Sequence, residues 1–206
     1  MFQTGLLNVM EYIGVISFAI IGAYVAMQRK MDVLGIFVLA YATACGGGIL
    51  RDTVMNTGIP VFFSSYVTII LVFVSVIFVI CIRRMIKIHF IIVIFDAVGL
   101  SVFAIDAGMK AIEAGYNFPQ FIFASVITAC GGGVIRDILA QRVPTIFRHD
   151  IYALAAAAGA IFLWFAYPWL GSSISMYISL ALVFIVRMVC VYYNVNLPIL
   201  HVGERK

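Results

Sequence analysis

A ten-residue motif that joins three glycines to an adjacent cation and anion occurs twice in this chain. Residues 43–52 read TACGGGILRD and residues 128–137 read TACGGGVIRD. Each glycine in a helix costs about 1 kcal/mol relative to alanine, so a doubled triplet predicts a functional use. Carbonyl groups at a broken helix could coordinate a cation, and missing side chains could open a narrow passage. The candidate pore and kink residues are Gly46, Gly47, Gly48, Gly131, Gly132 and Gly133.

The alternative for the triplets is close packing between helices, because small residues often mark helix contacts in lipid. We favour the functional interpretation, since two adjacent triplets exceed what one close contact requires.

Charged side chains inside apolar segments form a second group of candidates, because such charges usually face a cavity or a partner. Glu11 could pair with Arg51 at one end of the protein, and Asp96 could pair with Arg136 at the other. Each pair could narrow one mouth of a pore, or could hold one part of the fold together as a structural ion pair. Two further carboxylates could instead bond nearby backbone or the adjacent arginine: Asp52 and Asp137.

Two other charges stand four residues apart in the fourth apolar segment. Asp106 and Lys110 can pair along one helix face. The corresponding residues of the first half are Ile21 and Val25, so this pair breaks the internal similarity. Lys110 could respond to the membrane potential, or the two residues could form a plain interfacial pair. Arg187, in the last segment, either extends toward the membrane surface or faces a cavity.

The uncharged candidates are two aromatic residues and a set of hydroxyl groups. Phe18 and Phe103 could form a hydrophobic constriction, although an aromatic residue in a membrane helix more often packs or faces lipid. The hydroxyl groups could line a pore or bond within and between helices. They are Ser17, Thr43, Ser101 and Thr128, together with Tyr41 and Ser125.

The composition requires a membrane to position these residues. Of 206 residues, 65% are hydrophobic and 11% are charged, whereas a soluble domain has about 25% charged residues. A span takes about 20 residues, so the chain holds about seven spans and leaves nothing for a soluble domain. We place the spans at about 6–27, 33–50, 66–82, 89–109, 118–135, 151–168 and 174–193.

The internal similarity extends beyond the glycine motif. A shift of 85 residues also aligns Gly14 with Gly99 and Phe18 with Phe103. Each unit contains three spans, and an odd number makes the second unit enter the membrane from the opposite side. The predicted fold is therefore an all-α membrane protein with a single transmembrane domain of seven helices. It comprises repeat one (6–82), an inverted repeat two (89–168) and a seventh helix (174–193).

Basic residues predict the orientation. With the N-terminus outside, ten of the thirteen Lys and Arg residues would lie on the inner side and two on the outer side. The positive-inside rule therefore favours an outer N-terminus and a cytoplasmic C-terminus. We expect an integral multi-pass protein of the bacterial inner membrane.

Motifs for enzymatic chemistry are absent. The triplets lack the spacing and βαβ context of a dinucleotide site, and the chain has no phosphate-binding loop. The three histidines and four cysteines lack metal-ligand spacing, and no nucleophile–base pair can be argued. We therefore expect no enzyme activity, no cofactor and no nucleic-acid partner, with K⁺ as a transient ligand only.

The predicted chain has two three-span repeats followed by a seventh helix, and each repeat carries a GGGxxRD motif near the end of its second helix. This arrangement resembles the trimeric intracellular cation (TRIC) channel superfamily. The resemblance is strongest to the prokaryotic branch, which is also labelled a glycine-transporter-type membrane family, and it covers about residues 6–193. It implies a homotrimer in lipid with a pore in each subunit that conducts monovalent cations, chiefly K⁺, with Na⁺ as a second permeant ion. It also implies that kinked second and fifth helices line the pore, with Arg51 and Arg136 nearby.

Two other functions remain open. Inverted repeats with broken helices are equally the architecture of secondary transporters, so the chain could carry a small solute such as glycine. A membrane scaffold without flux would explain close packing but not the doubled triplet. The channel is the leading interpretation because the chain shows no nucleotide-binding domain and no energy-coupling motif.

Overall fold

A computed structural model of the chain describes residues 2–55, 58–60, 65–82, 88–147 and 151–195. All regular secondary structure in these ranges is helical. The helices are α1 Phe2–Gln28, α2 Val33–Val54, α3 Tyr66–Ile82, α4 Ile88–Glu113, α5 Phe118–Leu139 and α6 Tyr152–Tyr192, with a short 3₁₀ turn at Thr145–Phe147.

The two helices that carry the glycine motif have well-defined starts. The Asp32 side chain accepts a 2.7 Å hydrogen bond from the Gly35 amide at the start of α2. Asn117 and Gln120 cap α5 reciprocally, with side chain to backbone distances of 3.0 and 3.1 Å. Such caps satisfy amide groups that have no partner within the helix. These caps therefore fix the residue at which each of the two motif helices begins.

The last element, α6, contains a break at Gly171. This glycine has φ 73° and ψ 172°, a backbone conformation that side chains disfavour, and Pro168 stands three residues earlier. The break divides the 41 residues of α6 into two halves, 152–170 and 172–192. These halves correspond to the predicted sixth and seventh spans, which one residue separates in place of the expected loop.

Within the described part of the chain, five helical segments are long and apolar enough to cross a membrane: Leu7–Gln28, Val33–Val54, Ile91–Glu113, Phe118–Leu139 and Tyr152–Tyr192. The apolar helix α3, with 17 residues, is shorter. Large apolar side chains cover the outside of the bundle; Ile70, Phe73 and Phe165, for example, are each more than half exposed. A face of this kind matches hydrocarbon and not water. The protein is therefore an integral, multi-pass, all-helical membrane protein.

The bundle is organised around a central contact between α2 and α5. Helix α1 packs against α2, α3 and α4, and α4 packs against α5 and α6. The buried apolar residues form two clusters, one mainly on α1, α2 and α3 and the other mainly on α4, α5 and α6. Each cluster thus combines the helices of one predicted repeat, with α6 completing the second.

Contacts between the two clusters are reciprocal. The Phe103 ring packs over Gly14, where an added Cβ would lie 3.0 Å from the ring, and the Phe18 ring packs over Gly99. The 85-residue shift relates Gly14 to Gly99 and Phe18 to Phe103. The contact of Phe103 with Gly14 is therefore the counterpart of the contact of Phe18 with Gly99. We propose from this reciprocity, and from the matched helix order, that the two units are related by a pseudo-two-fold axis as inverted repeats.

Candidate functional site: two charged cavities beside a glycine crossing

Neither glycine triplet interrupts its helix. Helix α2 continues through Gly46–Gly48, and α5 continues through Gly131–Gly133. The expected break, with carbonyl groups released to coordinate a cation, is therefore wrong. Helix geometry already satisfies backbone carbonyls within the element, which lipid surroundings demand.

The middle glycines let the two helices touch. A Cβ on Gly47 would collide with the carbonyl oxygen of Thr128, and one on Gly132 would collide with the carbonyl oxygen of Thr43. The 85-residue shift relates these two contacts to each other. Backbone atoms can approach this closely only where side chains are absent. Gly47 and Gly132 therefore lie in a close contact between helices, the arrangement that the sequence left as the alternative.

The first glycines of the triplets support the same crossing. An added Cβ would lie 2.5 Å from Ile135 Cδ1 at Gly46, and 3.1 Å from Gly47 Cα at Gly131.

The last glycine of each triplet has a different environment. No heavy atom would lie within 4 Å of a Cβ on Gly48. For Gly133 the nearest atoms would be Arg136 Nη2 at 3.7 Å and Tyr152 Oη at 3.8 Å. Each of these glycines lines a small cavity. The triplets therefore combine two close-packed positions with one that leaves space.

The first cavity, which we call the Glu11 cavity, consists of two adjoining spaces of about 200 and 30 Å³ that share Arg51 and Asp52 as lining residues. Lys110 lines the larger space, and Glu11 and Asp106 line the smaller one. All five charged side chains come from α1, α2 and α4.

The ion pairs of the Glu11 cavity differ from the predicted one. Lys110 Nζ lies 2.8 Å from Glu11 Oε2 and 2.9 Å from Asp106 Oδ2. Arg51 Nε lies 2.8 Å from Asp52 Oδ1. The structure therefore pairs Glu11 with Lys110 and not with Arg51, whereas the i,i+4 pair of Asp106 and Lys110 is present. Sequence reasoning missed the first pair because it joins two helices 99 residues apart.

The second cavity, the Arg136 cavity, holds only about 10 Å³ and is lined in part by Gly133, Arg136, Asp137, Thr145 and Tyr152. It shares no lining residue with the Glu11 cavity. In this structure the two spaces are separate.

Asp96 stands at the centre of the charges beside the Arg136 cavity. Arg136 Nη1 lies 3.9 Å from Asp96 Oδ1, so the predicted partners are neighbours. Arg187 Nη2 comes closer, at 3.3 Å from Asp96 Oδ2. The Tyr152 hydroxyl donates to Asp96 Oδ1 at 3.2 Å, and the Arg187 guanidinium lies 4.9 Å from the centre of the Tyr152 ring. Arg187 is buried, with 4% exposure, so it faces the interior and does not extend to the membrane surface.

Asp137 ties the segment after α5 to the end of that helix. Its Oδ1 accepts from Arg136 Nε at 2.7 Å and from Arg142 at 2.8 and 2.6 Å. Its Oδ2 accepts from the amide and hydroxyl of Thr145, both at 3.0 Å. In the first repeat, the residue that corresponds to Thr145 is Pro60, which has no amide hydrogen to donate. Arg142, Thr145 and Tyr152 were not predicted as site residues, because the repeat motif ends before them.

The two candidate aromatic residues contact each other. The ring centroids of Phe18 and Phe103 are 5.1 Å apart at an interplanar angle of 60°, an edge-to-face geometry. They are 1% and 7% exposed. Phe103 lines the Glu11 cavity, and Phe18 packs near Gly132. The two rings therefore lie packed together beside the glycine crossing.

The hydroxyl groups mostly bond within their own helices. Thr43 and Thr128 each donate at 2.6 Å to the carbonyl four residues earlier, and Ser101 donates at 2.9 Å to the carbonyl three residues earlier. Ser17 is buried at 2% exposure. Thr128 also lines the Glu11 cavity. Of the residues the structure describes, none form a group of three or more His, Cys, Asp or Glu side chains suited to a metal ion.

This protein is a multi-pass helical membrane protein with ionisable residues buried around interior cavities. In membrane proteins of this class, buried ionisable residues usually belong to functional sites. A family model described as "Glycine transporter" matches the chain twice, over residues 8–83 and 93–168. The UPF0126 membrane protein YvgT of Bacillus subtilis (strain 168) is 34% identical over 93% of this chain and 95% of its own length. The UPF0126 inner membrane protein YadS of Escherichia coli (strain K12) is 30% identical over 95% of this chain and 96% of its own length.

Solved structures give the same relationship. A protein from a study of conductance through TRIC cation channels has a TM-score of 0.88 and 30% identity over 96% of this chain and 98% of its own. A prokaryotic TRIC channel in 0.5 M KCl has a TM-score of 0.88 and 30% identity over 96% of this chain and 100% of its own. The TRIC orthologue from Rhodobacter sphaeroides has a TM-score of 0.85 and 27% identity over 91% of this chain and 98% of its own. The chain belongs to the glycine-transporter-type membrane protein family, within the TRIC superfamily.

Proposed function

We propose that this protein is a channel for monovalent cations, chiefly K⁺ with Na⁺ as a second permeant ion, and not an enzyme. The observation that carries the proposal is the TM-score of 0.88, over almost the whole of both chains, to solved TRIC cation channels.

The pore would run within one subunit from the Glu11 cavity to the Arg136 cavity, between α1, α2, α4 and α5. Gly48 and Gly133 line these cavities with the least bulk, and Arg51 and Arg136 stand beside them. The Phe18–Phe103 contact would form the constriction between the two ends. The two cavities share no lining residue, which supports the proposal that this pore is closed between them.

Carboxylates at the Glu11 cavity favour cations over anions. Glu11, Asp52 and Asp106 line this cavity. Hydrophobic walls of low dielectric constant focus the field of such groups toward the passage and raise the local cation concentration.

The assembly and orientation complete the proposal. We propose a homotrimer in lipid, since the Rhodobacter sphaeroides structure is that of a trimeric channel. The Glu11 end would face outward and the C-terminus would face the cytoplasm, according to the distribution of Lys and Arg. The separate matches of the family model to 8–83 and 93–168 support a single domain built from repeats 6–82 and 89–168, with 174–193 as the added helix.

The second candidate is a secondary transporter for glycine or a similar solute, which the description of the family model favours. A carrier would need to expose one binding site alternately to each side, with saturable flux.

Recording from purified protein in a planar bilayer separates the two candidates. With a KCl gradient, a channel gives unitary currents whose reversal potential lies near that of K⁺, and replacing K⁺ by Na⁺ measures selectivity. Saturable glycine uptake into liposomes, in the absence of unitary currents, would replace the channel by the carrier.

A further inference from the structure

The two charged cavities start from the same set of charges. Each repeat supplies one carboxylate from its first helix, one arginine and the aspartate that follows this arginine. In the first repeat these are Glu11, Arg51 and Asp52, and they lie together at the Glu11 cavity. Internal repetition alone would therefore give each end of the protein one excess negative charge.

Asp106 and Lys110 add no net charge to the Glu11 cavity. They pair at 2.9 Å and have opposite signs. The Glu11 cavity therefore keeps three carboxylates against two cations and remains negative.

Two arginines change the other end. Arg142 contributes two hydrogen bonds to Asp137, and Arg187 lies 3.3 Å from Asp96. Neither has a basic counterpart in the first repeat: Thr57 corresponds to Arg142, and Arg187 lies in the second half of α6, outside both repeats. Among the residues that the structure describes, the cluster at the Arg136 cavity thus contains three arginines against two aspartates, and the net charge of these five side chains is positive.

We propose that Arg142 and Arg187 make this protein a rectifier, which passes cations more easily from the Glu11 cavity toward the Arg136 cavity than in the reverse direction. The inference rests on the proposed channel function and adds a directional property to it. A negative entrance raises the local cation concentration, and a positive entrance lowers it. When entry limits the current, the larger current therefore starts at the negative end.

The effect should depend on salt concentration. The screening length is about 30 Å at 0.01 M salt and about 3 Å at 1 M. At low salt the charges of each cluster act on ions at the entrance, whereas at 1 M they are screened except where buried. We expect a current ratio of about twofold between opposite voltages in dilute KCl, from one unit charge several ångströms from the ion path.

The experiment is a set of single-channel current–voltage curves in symmetric KCl, at about 0.02 M and 1 M, with wild type, R142Q, R187Q and R142Q/R187Q. Each curve comes from one inserted channel, so the ratio of currents at opposite voltages needs no assumption about orientation. The single variants should reduce the low-salt ratio, and the double variant should bring it close to one. At 1 M every ratio should lie closer to one than at about 0.02 M, because the exposed charges are screened.

The matched control separates charge from structure. D96N/R187Q removes the same arginine and its ion pair but preserves the net charge of the cluster, so its ratio should stay near that of wild type, whatever happens to its conductance. Arg142 is only partly buried, with a side-chain exposure of 32%, so R142Q tests the idea even if R187Q fails to fold.

The outcomes distinguish the inference from the proposed function. A linear wild-type curve at low salt, with normal K⁺ currents, overturns the rectifier and leaves the channel intact. A rectifying curve that R142Q leaves unchanged overturns the assignment to the arginines. An absence of unitary currents in every variant and salt removes the channel and the rectifier together.

Discussion

Phe18 and Phe103 contact each other edge to face at 5.1 Å, and each packs its ring over the glycine that precedes the other by four residues. Phe18 packs over Gly99, and Phe103 packs over Gly14. The 85-residue shift exchanges the members of both contacts. The two rings thus lie where the two halves of the bundle meet.

If this aromatic contact closes the pore, F103A should increase the K⁺ conductance or the open fraction of single channels. The same change removes a buried ring and should lower stability by about 3–5 kcal/mol. F103L, which keeps an apolar side chain of comparable bulk, serves as the control and should retain more of both properties. Conductance and open fraction that are unchanged in folded F103A would place the constriction elsewhere.

The glycine triplets should respond differently by position. G47A should destabilise the protein by about 1–3 kcal/mol, because the new Cβ collides with the Thr128 carbonyl. G48A should fold as well as wild type or better, since its Cβ meets no atom within 4 Å and alanine favours the helix by about 1 kcal/mol. Thermal unfolding, monitored by size-exclusion chromatography, measures the melting temperatures of both variants. Equal melting temperatures for the two variants would contradict the crossing geometry.

A larger side chain at the open position tests the pore itself. G48L should reduce the K⁺ current sharply while the protein still assembles, because it fills the space next to Glu11 and Arg51. Gly5, another glycine whose Cβ would meet no atom, provides the control, and G5L should conduct normally. Normal current through G48L would exclude the Glu11 cavity from the pathway.

The Asp106–Lys110 pair can be replaced by its counterparts in the first repeat. K110V alone leaves the buried Asp106 carboxylate without its cation and should cost about 3–5 kcal/mol. D106I/K110V, which introduces the residues found at positions 21 and 25, should recover most of this loss. A denaturation series on the single and double variants gives the coupling. Additive effects would show that the two charges act independently.

Asp137 should control exposure of the segment that follows α5. D137A removes the acceptor for Arg142 and Thr145, so trypsin should cut after Arg142 several-fold faster than in wild type. Thr145→Pro removes both donors of this residue, the amide and the hydroxyl, but leaves the bonds from Arg142, so it should have an intermediate effect. Digestion of protein in detergent, followed by mass spectrometry, reports the rates. Identical rates in D137A and wild type would show that other contacts hold the segment.

Much of the architecture follows from the sequence. Apolar segments of sufficient length predict membrane helices, and the predicted starts of α2 and α5 agree with the structure because Asp32 and Asn117 are strong caps. The pairing of Asp106 with Lys110 was also predictable, since helix geometry alone brings residues four apart together. These features depend on local spacing, which one sequence contains in full.

What the tertiary structure decided is where distant residues meet. Only packing shows that Lys110 reaches Glu11, that Arg187 reaches Asp96, and that the glycine triplets form a crossing without breaking either helix. The sequence marks Gly47 and Gly48 as equivalent, yet their positions around the helix axis differ by about 100°, so one faces the partner helix and the other a cavity. A repeated motif specifies which residues must be small, but the neighbours that surround each of them assign its role.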